Sequence, residues 1–303
     1  MATYVVGDIH GCYDAWMKLK NKIEKQDNQA KFILVGDIVD RGPNVIKMID
    51  WAMENITPDG KYQMIIGNHE ELKIEWAKQY KDYSDSEYSK TQHYKNFKKD
   101  RYDFQYNLIK SDVTDEYVIK VIDFFKSLPV YIDVTVNTGS REQYYVVCHA
   151  AMPDMCIDEK TGKVIKEKTE TEGIKDCFGK NVRDYIIWER NYWGNSWDEP
   201  TIIIHGHTPT CSRDLVVRWS VPGKIDFKNK DINVDCGMCF NTEVSNLGAI
   251  CLETLEEFYS EDIDDRSLIY FDKKRRDGYK DDMEYLIKNG ENKYNAIFLD
   301  SET

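Results

Sequence analysis

The chain has 303 residues, 41% of them hydrophobic, and a formal net charge of −13. This length and composition are sufficient to bury a full core, and we expect one large α/β domain with insertions. The acidic balance repels polyanions, so we expect neither a nucleic-acid groove nor a membrane partner. No segment has the pattern of a signal peptide or of a long apolar span, which predicts a cytoplasmic protein.

Five short apolar runs are predicted to form strands. They lie at residues 4–6, 32–35, 64–66, 145–148 and 202–204. The runs are rich in β-branched residues and have no polar interruption, which is typical of strands buried on both faces.

Helical patterns connect the first three runs. Apolar residues recur at helical spacing over 13–23, and Pro43 is expected to open a second helix as its first residue. A third helix is expected from Glu70. Strands that alternate with helices form βαβ units, so we expect a sheet that is at least partly parallel.

Charged segments interrupt this pattern. Residues 78–127 are predicted to form a solvated helical insertion, and the alternative is a cap that controls access to the site. A second charged insertion is expected at 154–184, and antiparallel strands from 231 to 259. The expected domain therefore covers residues 1–260. The charged extension at 261–303 is expected to add a peripheral helix, and the sequence assigns it no function.

A polar cassette directly follows each apolar run. In order, the cassettes read Gly7-Asp8-Ile9-His10-Gly11, Gly36-Asp37-Ile38-Val39-Asp40-Arg41-Gly42, Gly67-Asn68-His69-Glu70, His149-Ala150 and His205-Gly206-His207-Thr208-Pro209. A single His after a strand is more often a core or loop residue than a ligand. Five cassettes at the ends of neighbouring strands instead predict a metal centre, since they hold five of the six histidines.

The ligand types favour two divalent cations. No Cys completes a Cys-His zinc pattern, which disfavours a structural zinc site. Carboxylate, amide and imidazole ligands suit Mn, Fe or Zn, and we favour Mn. Two such ions ~3.5–4 Å apart can hold a phosphate and lower the pKa of a shared water. A bridging ligand needs two free oxygens, as a carboxylate has, and Asp37 is the predicted bridge.

The order and identity of the cassettes resemble the calcineurin-like metallophosphoesterases from residue 4 to about residue 252. Within that family they are similar to the bacterial and bacteriophage form of the phosphoprotein phosphatase branch. Pro209 stands where the nuclease and cyclic-nucleotide branches have a further His, which points away from those branches. The resemblance implies a β-sandwich of two mixed sheets flanked by helices, with the strands after residue 231 in the second sheet.

The resemblance also implies which residues hold the two metals. The first is expected on Asp8, His10 and Asp37, and the second on Asp37, Asn68, His149 and His207. By the same resemblance His205 is not a ligand, and we expect it to support a ligand or to be structural.

Four cassette or neighbouring residues are expected to act on the substrate. The resemblance implies that Arg41, Arg190 and Asn68 bind the phosphate, and the planar guanidinium of Arg41 matches two phosphate oxygens. The resemblance gives His69 the role of general acid, oriented by Asp40. An imidazole with a reference pKa of ~6.5 stays protonated beside a carboxylate, which suits that role.

The favoured function is a serine/threonine phosphoprotein phosphatase that uses a hydroxide bridging two metals, with no covalent phosphoenzyme. The alternative is a bis(5'-nucleosyl)-tetraphosphatase of the symmetrical type. A dinucleoside tetraphosphate needs additional cations, and the cluster of Lys95, Lys98, Lys99 and Arg101 keeps this alternative open. A metal-binding scaffold without catalytic activity is disfavoured, because the substrate-contacting residues of the cassettes are intact.

Overall fold

The computed structural model describes residues 1–82, 113–170, 173–176, 179–190, 201–210, 221–228, 230–240, 244–262 and 273–289. The basic cluster at 95–101 therefore lies outside the described residues, as do the middle of the insertion expected at 78–127 and much of the C-terminal extension. In the part of the chain that is described, no helix is long and apolar enough to cross a membrane.

Strands and helices alternate through the first half of the chain, as expected. In chain order the described elements are β1 (Thr3–Val6), α1 (Tyr13–Gln26), β2 (Lys31–Leu34), α2 (Val45–Asn55), β3 (Tyr62–Met64), α3 (Asn68–Asp82), α4 (Asp115–Ser127), β4 (Tyr131–Asn137), β5 (Glu142–Cys148), α5 (Lys166–Glu170), α6 (Val182–Trp188), β6 (Ile202–His205), β7 (Asp226–Lys228), β8 (Asp231–Asn233), β9 (Gly248–Cys251), β10 (Glu257–Tyr259) and α7 (Lys273–Asn289). Short 3-10 turns lie at Asp154–Cys156 and Met238–Phe240.

The first sheet has the strand order β10-β9-β1-β2-β3. Its three N-terminal strands are parallel, as the βαβ pattern predicted, and β9 and β10 add to β1 in antiparallel fashion. The expectation that all strands after residue 231 lie in the second sheet is therefore wrong for β9 and β10. A short strand buried on both faces can join either sheet, and the hydrophobic pattern does not specify its partner.

The second sheet has the strand order β4-β5-β6-β8-β7. Its central strands β5, β6 and β8 are parallel, and β4 and β7 pair antiparallel at the two edges. Two mixed sheets flanked by helices confirm the predicted fold class. Val5 and Ile33 of the first sheet share one buried cluster with Val147 and Ile204 of the second, so the two sheets pack face to face.

Two helix boundaries differ from the sequence prediction. Helix α2 begins at Val45, so Pro43 precedes the helix and is not its first residue. The backbone on both sides of Pro43 is held by the first cassette, because Gly42 donates to the carbonyl of His10 and Asn44 to the carbonyl of Gly11. Helix α3 begins at Asn68, two positions before the expected start, which places Asn68 and His69 in its first turn.

Helices α4 and α7 both contribute to the core. Helix α4, within the segment expected as an insertion, buries Val121 and Phe125. Helix α7 lies in the segment expected as a C-terminal extension, and it packs on β7 with Met283 and Ile287 buried. The parallel strands of both sheets end at a common edge, where the cassette loops meet.

Candidate metal centre

Backbone hydrogen bonds connect the cassette loops to one another. His10 N–H donates to the Asp37 carbonyl at 2.8 Å, and Gly206 N–H donates to the His149 carbonyl at 2.9 Å. The described non-glycine residues with positive φ are His10, Asp37, Asp40, Arg41, His207 and Leu255, with φ between 45° and 67°. Such backbone conformations cost about 1–3 kcal/mol each and concentrate at functional sites. Five of these six residues belong to the cassettes.

Two glycines make room for the cassette carboxylates. A Cβ on Gly206 would lie 2.1 Å from Asp8 Oδ1, and a Cβ on Gly67 would lie 2.2 Å from Asp37 Oδ1. Both distances are far inside van der Waals contact. Glycine at these positions therefore allows the carboxylates to approach the backbone of the neighbouring strand ends.

Two groups of side chains could each hold a metal ion. One contains His10, Asp37 and His69, and the other contains Asp37, His149 and His207; in each group the ligand atoms lie within 4.8 Å of one another. All five residues are buried. Asp37 belongs to both groups, in the position the sequence predicted for a bridge.

The other two predicted ligands lie beside the second group. Asn68 Oδ1 is 2.9 Å from His149 Nε2 and 2.8 Å from His207 Nδ1. The Asp8 carboxylate accepts from the backbone N–H of His207, at 3.2 Å to Oδ2 and 3.3 Å to Oδ1. Neither three-residue group includes Asp8, and His69 takes the third place in the first group.

The arrangement of the imidazole nitrogens and carboxylate oxygens fits divalent cations. The Nδ1–H of His10 donates to the Val39 carbonyl at 2.8 Å, and that of His149 donates to the Val35 carbonyl at 2.7 Å. The Nε2 atom of each ring then faces Asp37, at 3.5 Å from a carboxylate oxygen, and offers a lone pair to a cation when that nitrogen carries no proton. His207 Nε2 is buried without a hydrogen-bond partner among the described residues. A cation would satisfy the lone pairs that face the carboxylate.

Burial and neighbouring carboxylates shift the pKa values of the imidazoles in the two groups. Burial lowers the pKa of His149, but Asp37 and Asp8 outweigh burial and raise the pKa to about 10. Burial lowers the pKa of His10 to about 3 and that of His207 to about 2. His10 and His207 are therefore neutral and ready to ligate, whereas His149 must release a proton to do so.

Buried carboxylates surround the two groups. Burial and the neighbouring Asp235 and Asp37 raise the pKa of Asp8 well above its usual value. Burial likewise raises the pKa of Asp235 to about 6 and that of Glu70 to about 7. Anions concentrated without water are costly, and divalent cations would offset that cost.

Arg41 and the pair formed by Asp40 and His69 lie on the side of the first group. His69 Nδ1 is 2.6 Å from Asp40 Oδ2, which fits the predicted orienting role of that carboxylate. Arg41 Nη2 is 2.9 Å from His69 Nε2, and Arg41 Nη1 contacts His10 Nε2. The guanidinium plane therefore lies directly beside the proposed acid.

Arg190 and His205 lie around the second group. Arg190 follows α6, and its Nη1 donates to the His207 carbonyl at 2.9 Å and to Thr208 Oγ1 at 3.3 Å. His205 points elsewhere, with its Nε2 3.0 Å from Asp231 Oδ2. It therefore belongs to neither group of candidate ligands.

Two supporting residues were not assigned from the sequence. The Glu70 carboxylate accepts from the backbone N–H of Asp37 at 2.7 Å and of Ile38 at 2.9 Å, and so fixes the Asp37 loop. Lys73 is buried with its Nζ 2.7 Å from Asp40 Oδ2. Lys73 is one helical turn after His69, so helical spacing from the cassette could have identified it.

Comparisons with known proteins agree with this geometry. The model of the calcineurin-like phosphoesterase family matches residues 1–234. A curated relative, the asymmetrical bis(5'-nucleosyl)-tetraphosphatase PrpE of Oceanobacillus iheyensis, is 26% identical over 259 residues, covering 80% of this chain and 86% of that protein. The PrpE of Bacillus cereus is 24% identical over 261 residues, covering 83% of this chain and 92% of that protein.

A solved structure has a similar fold. It is described as a candidate diadenosine tetraphosphatase, with a TM-score of 0.50, 15% identity and coverage of 85% of this chain and 91% of that chain. The family match spans both candidate ligand groups and all five cassettes, which confirms the resemblance seen in the sequence. The chain belongs to the calcineurin-like metallophosphoesterase family and is a hydrolase.

Proposed function

We propose that this protein hydrolyses phosphate esters or anhydrides with the help of two divalent cations, of which Mn is our first choice. The observation that carries the proposal is the position of Asp37 in both candidate ligand groups. When bound, a pair of cations neutralises phosphate charge and lowers the pKa of water, so that a nucleophile forms at neutral pH.

The proposed ligand sets are those implied by the family resemblance. Asp8, His10 and Asp37 would hold one ion, and Asp37, Asn68, His149 and His207 would hold the other. For Asp8 the support is electrostatic, because this buried carboxylate lies close enough to Asp235 and Asp37 for both to raise its pKa. A cation beside it would relieve that repulsion.

The remaining side chains would bind and protonate the substrate. Arg41 and Arg190 would each donate two N–H groups to phosphate oxygens, and the Asn68 amide would also contact the phosphate. His69 would give its Nε2 proton to the leaving oxygen, and Asp40 would keep the ring oriented through Nδ1. The 2.9 Å contact between Arg41 Nη2 and His69 Nε2 supports this proposal, because it brings the proposed phosphate ligand next to the proposed acid.

Two substrate classes are proposed. The PrpE relatives align over most of their own length and are named as dinucleoside tetraphosphatases, which favours a dinucleoside polyphosphate. The second candidate is a phosphoserine or phosphothreonine protein. It is favoured by the sequence Gly206-His207-Thr208-Pro209, which resembles the bacteriophage-type protein phosphatases.

The test begins with protein depleted of metal and then reconstituted. Chelation should abolish hydrolysis of p-nitrophenyl phosphate, and Mn should restore it. A comparison of kcat/KM for diadenosine tetraphosphate and a phosphothreonine peptide, under the same metal and salt, then assigns the substrate. A preference above about tenfold, or 1.4 kcal/mol, decides between the classes. Products identified as ATP plus AMP would indicate asymmetrical cleavage, and two ADP would indicate symmetrical cleavage.

A further inference from the structure

A groove lies directly beside the candidate metal centre, between α6 and the described residues Lys175, Gly179 and Lys180. Its described lining residues are Lys175, Gly179, Lys180, Asn181, Asp184, Tyr185, Trp188, Glu189 and Arg190. The cavity volume is about 590 Å³. Sites for small molecules in proteins range over roughly 300–1,000 Å³, so this groove, here called the Trp188 groove, has a suitable size.

Trp188 forms an exposed aromatic surface in this groove. Its side chain is 41% exposed, although large aromatic side chains are usually well buried. The Trp188 ring centroid lies 6.4 Å from that of His207, a proposed metal ligand. Tyr185 lines the same groove one helical turn earlier on α6. An exposed indole this close to the centre is positioned to stack on part of a substrate.

Positive charge extends from the centre into the Trp188 groove. Arg190 lines the groove and also donates to the carbonyl of His207, so it belongs to both. Lys175 and Lys180 also line the groove, and Lys180 forms an ion pair with Glu189. The lining thus has three cations and two carboxylates, in a chain whose net charge is −13. Such local charge favours a polyanionic ligand.

We infer that the Trp188 groove binds the base and adjacent phosphates of a nucleotide substrate whose scissile phosphate lies at the metal centre. The base stacks on Trp188, and Lys175, Lys180 and Arg190 contact the phosphates between the base and the centre. Any planar base can stack on an indole, whereas a phosphothreonine side chain has no ring that could stack there. The inference rests on the proposed phosphohydrolase function and specifies its nucleotide class.

The test compares two ligands that differ only in the base. Adenosine 5'-monophosphate and ribose 5-phosphate are titrated into the Mn-loaded full-length protein by isothermal titration calorimetry. Stacking on Trp188 should make the monophosphate bind about 5- to 150-fold more tightly, the range expected for one base on one aromatic side chain. Trp188→Ala should reduce this ratio to about one, and Trp188→Phe should keep most of it.

A matched control is Ile119→Ala, which removes an apolar side chain 52% exposed on α4. It should keep the wild-type ratio. Lys175→Ala should weaken both ligands similarly, because it removes a contact to phosphate and not to the base. A ratio near one in the wild-type protein, or an unchanged ratio in Trp188→Ala, would overturn the inference.

Failure of this inference and failure of the proposed function give different results. Equal binding of the two ligands, together with metal-dependent hydrolysis of p-nitrophenyl phosphate, would refute nucleotide binding in the groove and leave the hydrolase proposal intact. Binding selective for the base, without metal-dependent hydrolysis of either p-nitrophenyl phosphate or diadenosine tetraphosphate, would refute the proposed function and support the groove.

Discussion

The two ends of strands β1, β2 and β3 differ in composition, with aromatic side chains at one end and ionisable side chains at the other. Near their N-terminal ends the strands carry Tyr4, Phe32 and Tyr62, which pack with Trp16 and Trp51 into an aromatic cluster. Ring centroids there are 5.0 Å apart for Trp16 and Trp51 and 5.4 Å apart for Phe32 and Tyr62. Beyond their C-terminal ends the same strands lead into the buried carboxylates and imidazoles of the candidate metal centre.

The contrast extends to the backbone. In the aromatic cluster no residue has positive φ, whereas cassette residues such as Asp37 and His207 do. Packed rings stabilise the fold, while buried charges and strained turns destabilise it unless a ligand compensates. Substitutions at the centre should therefore impair activity with little effect on folding, and substitutions in the cluster should do the reverse.

The largest effect is expected for Asp37→Asn. The substitution removes the shared carboxylate, so metal content should fall below two ions per chain and activity should fall more than the ~10²–10⁴-fold expected for loss of general acid catalysis. Asn accepts the left-handed conformation of Asp37, φ 51°, and keeps an oxygen for the His69 N–H, so the fold should persist. Elemental analysis measures the metal content, and circular dichroism measures whether the fold persists. Two retained metals with full activity would disprove the bridging role.

The next largest effect is expected for His69→Asn, which distinguishes a role as general acid from a role as metal ligand. The geometry permits either role, because His69 both contacts Asp40 and belongs to the first ligand group. As general acid, His69→Asn should keep both metals and lower kcat by ~10²–10⁴-fold on alkyl phosphoesters. The loss should be smaller for p-nitrophenyl phosphate, whose leaving group needs no proton. Loss of a metal, or equal losses on both substrates, would contradict the acid role.

The contrast between the strand ends also explains what the sequence could predict. Apolar runs and the polar cassettes after them are local features, so the strands and the convergence of Asp37, His149 and His207 could be expected from the sequence. The roles of these residues remain predictions. Their neighbours across the fold could not be inferred as easily. Glu70 was expected to end the third cassette and to start a helix, yet its carboxylate holds the backbone of the Asp37 loop.

Strand partners and helix starts depend on tertiary contacts that no local pattern encodes. The run at 248–251 is apolar and short, and only its pairing with β1 places it in the first sheet. The start of α2 follows from the hydrogen bonds that Gly42 and Asn44 make to the first cassette, not from Pro43. In both cases the deciding partner is distant in sequence.

At the aromatic end, Trp16→Ala should lower the free energy of unfolding by ~3–5 kcal/mol, as expected when a fully buried tryptophan is truncated. Metal content and kcat should stay at wild-type values below the melting temperature. Trp16→Phe is the matched control. It should cost less, because it keeps a ring and removes an Nε1–H that has no hydrogen-bond partner among the described residues. Chemical denaturation of metal-loaded protein measures both, and reduced kcat with unchanged stability would refute the separation.

The smallest effect is expected for a substitution of Glu24, which contacts Tyr62 of the aromatic cluster. Its carboxylate accepts from Tyr62 Oη at 2.5 Å and pairs with Lys20 and Lys61, each at 2.7 Å. Burial raises the pKa of Glu24, but the hydrogen bonds from Lys20, Lys61 and Tyr62 outweigh burial and lower the pKa to about 2. A carboxyl whose pKa is lower in the folded than in the unfolded state stabilises the fold above its unfolded pKa of ~4.3, and this contribution is lost as pH falls toward 2.

Glu24→Gln should therefore destabilise the protein at pH 7, and the difference from wild type should shrink as pH falls from ~4.3 toward 2. The difference at pH 7 should stay below about 1 kcal/mol, since the group is partly exposed and screened by solvent. Glu54→Gln, which changes an exposed carboxylate on α2, serves as the control. Urea denaturation across this pH range measures the effect. A difference between wild type and Glu24→Gln that does not vary with pH would show that altered hydrogen bonding of the uncharged amide, and not ionisation, is responsible.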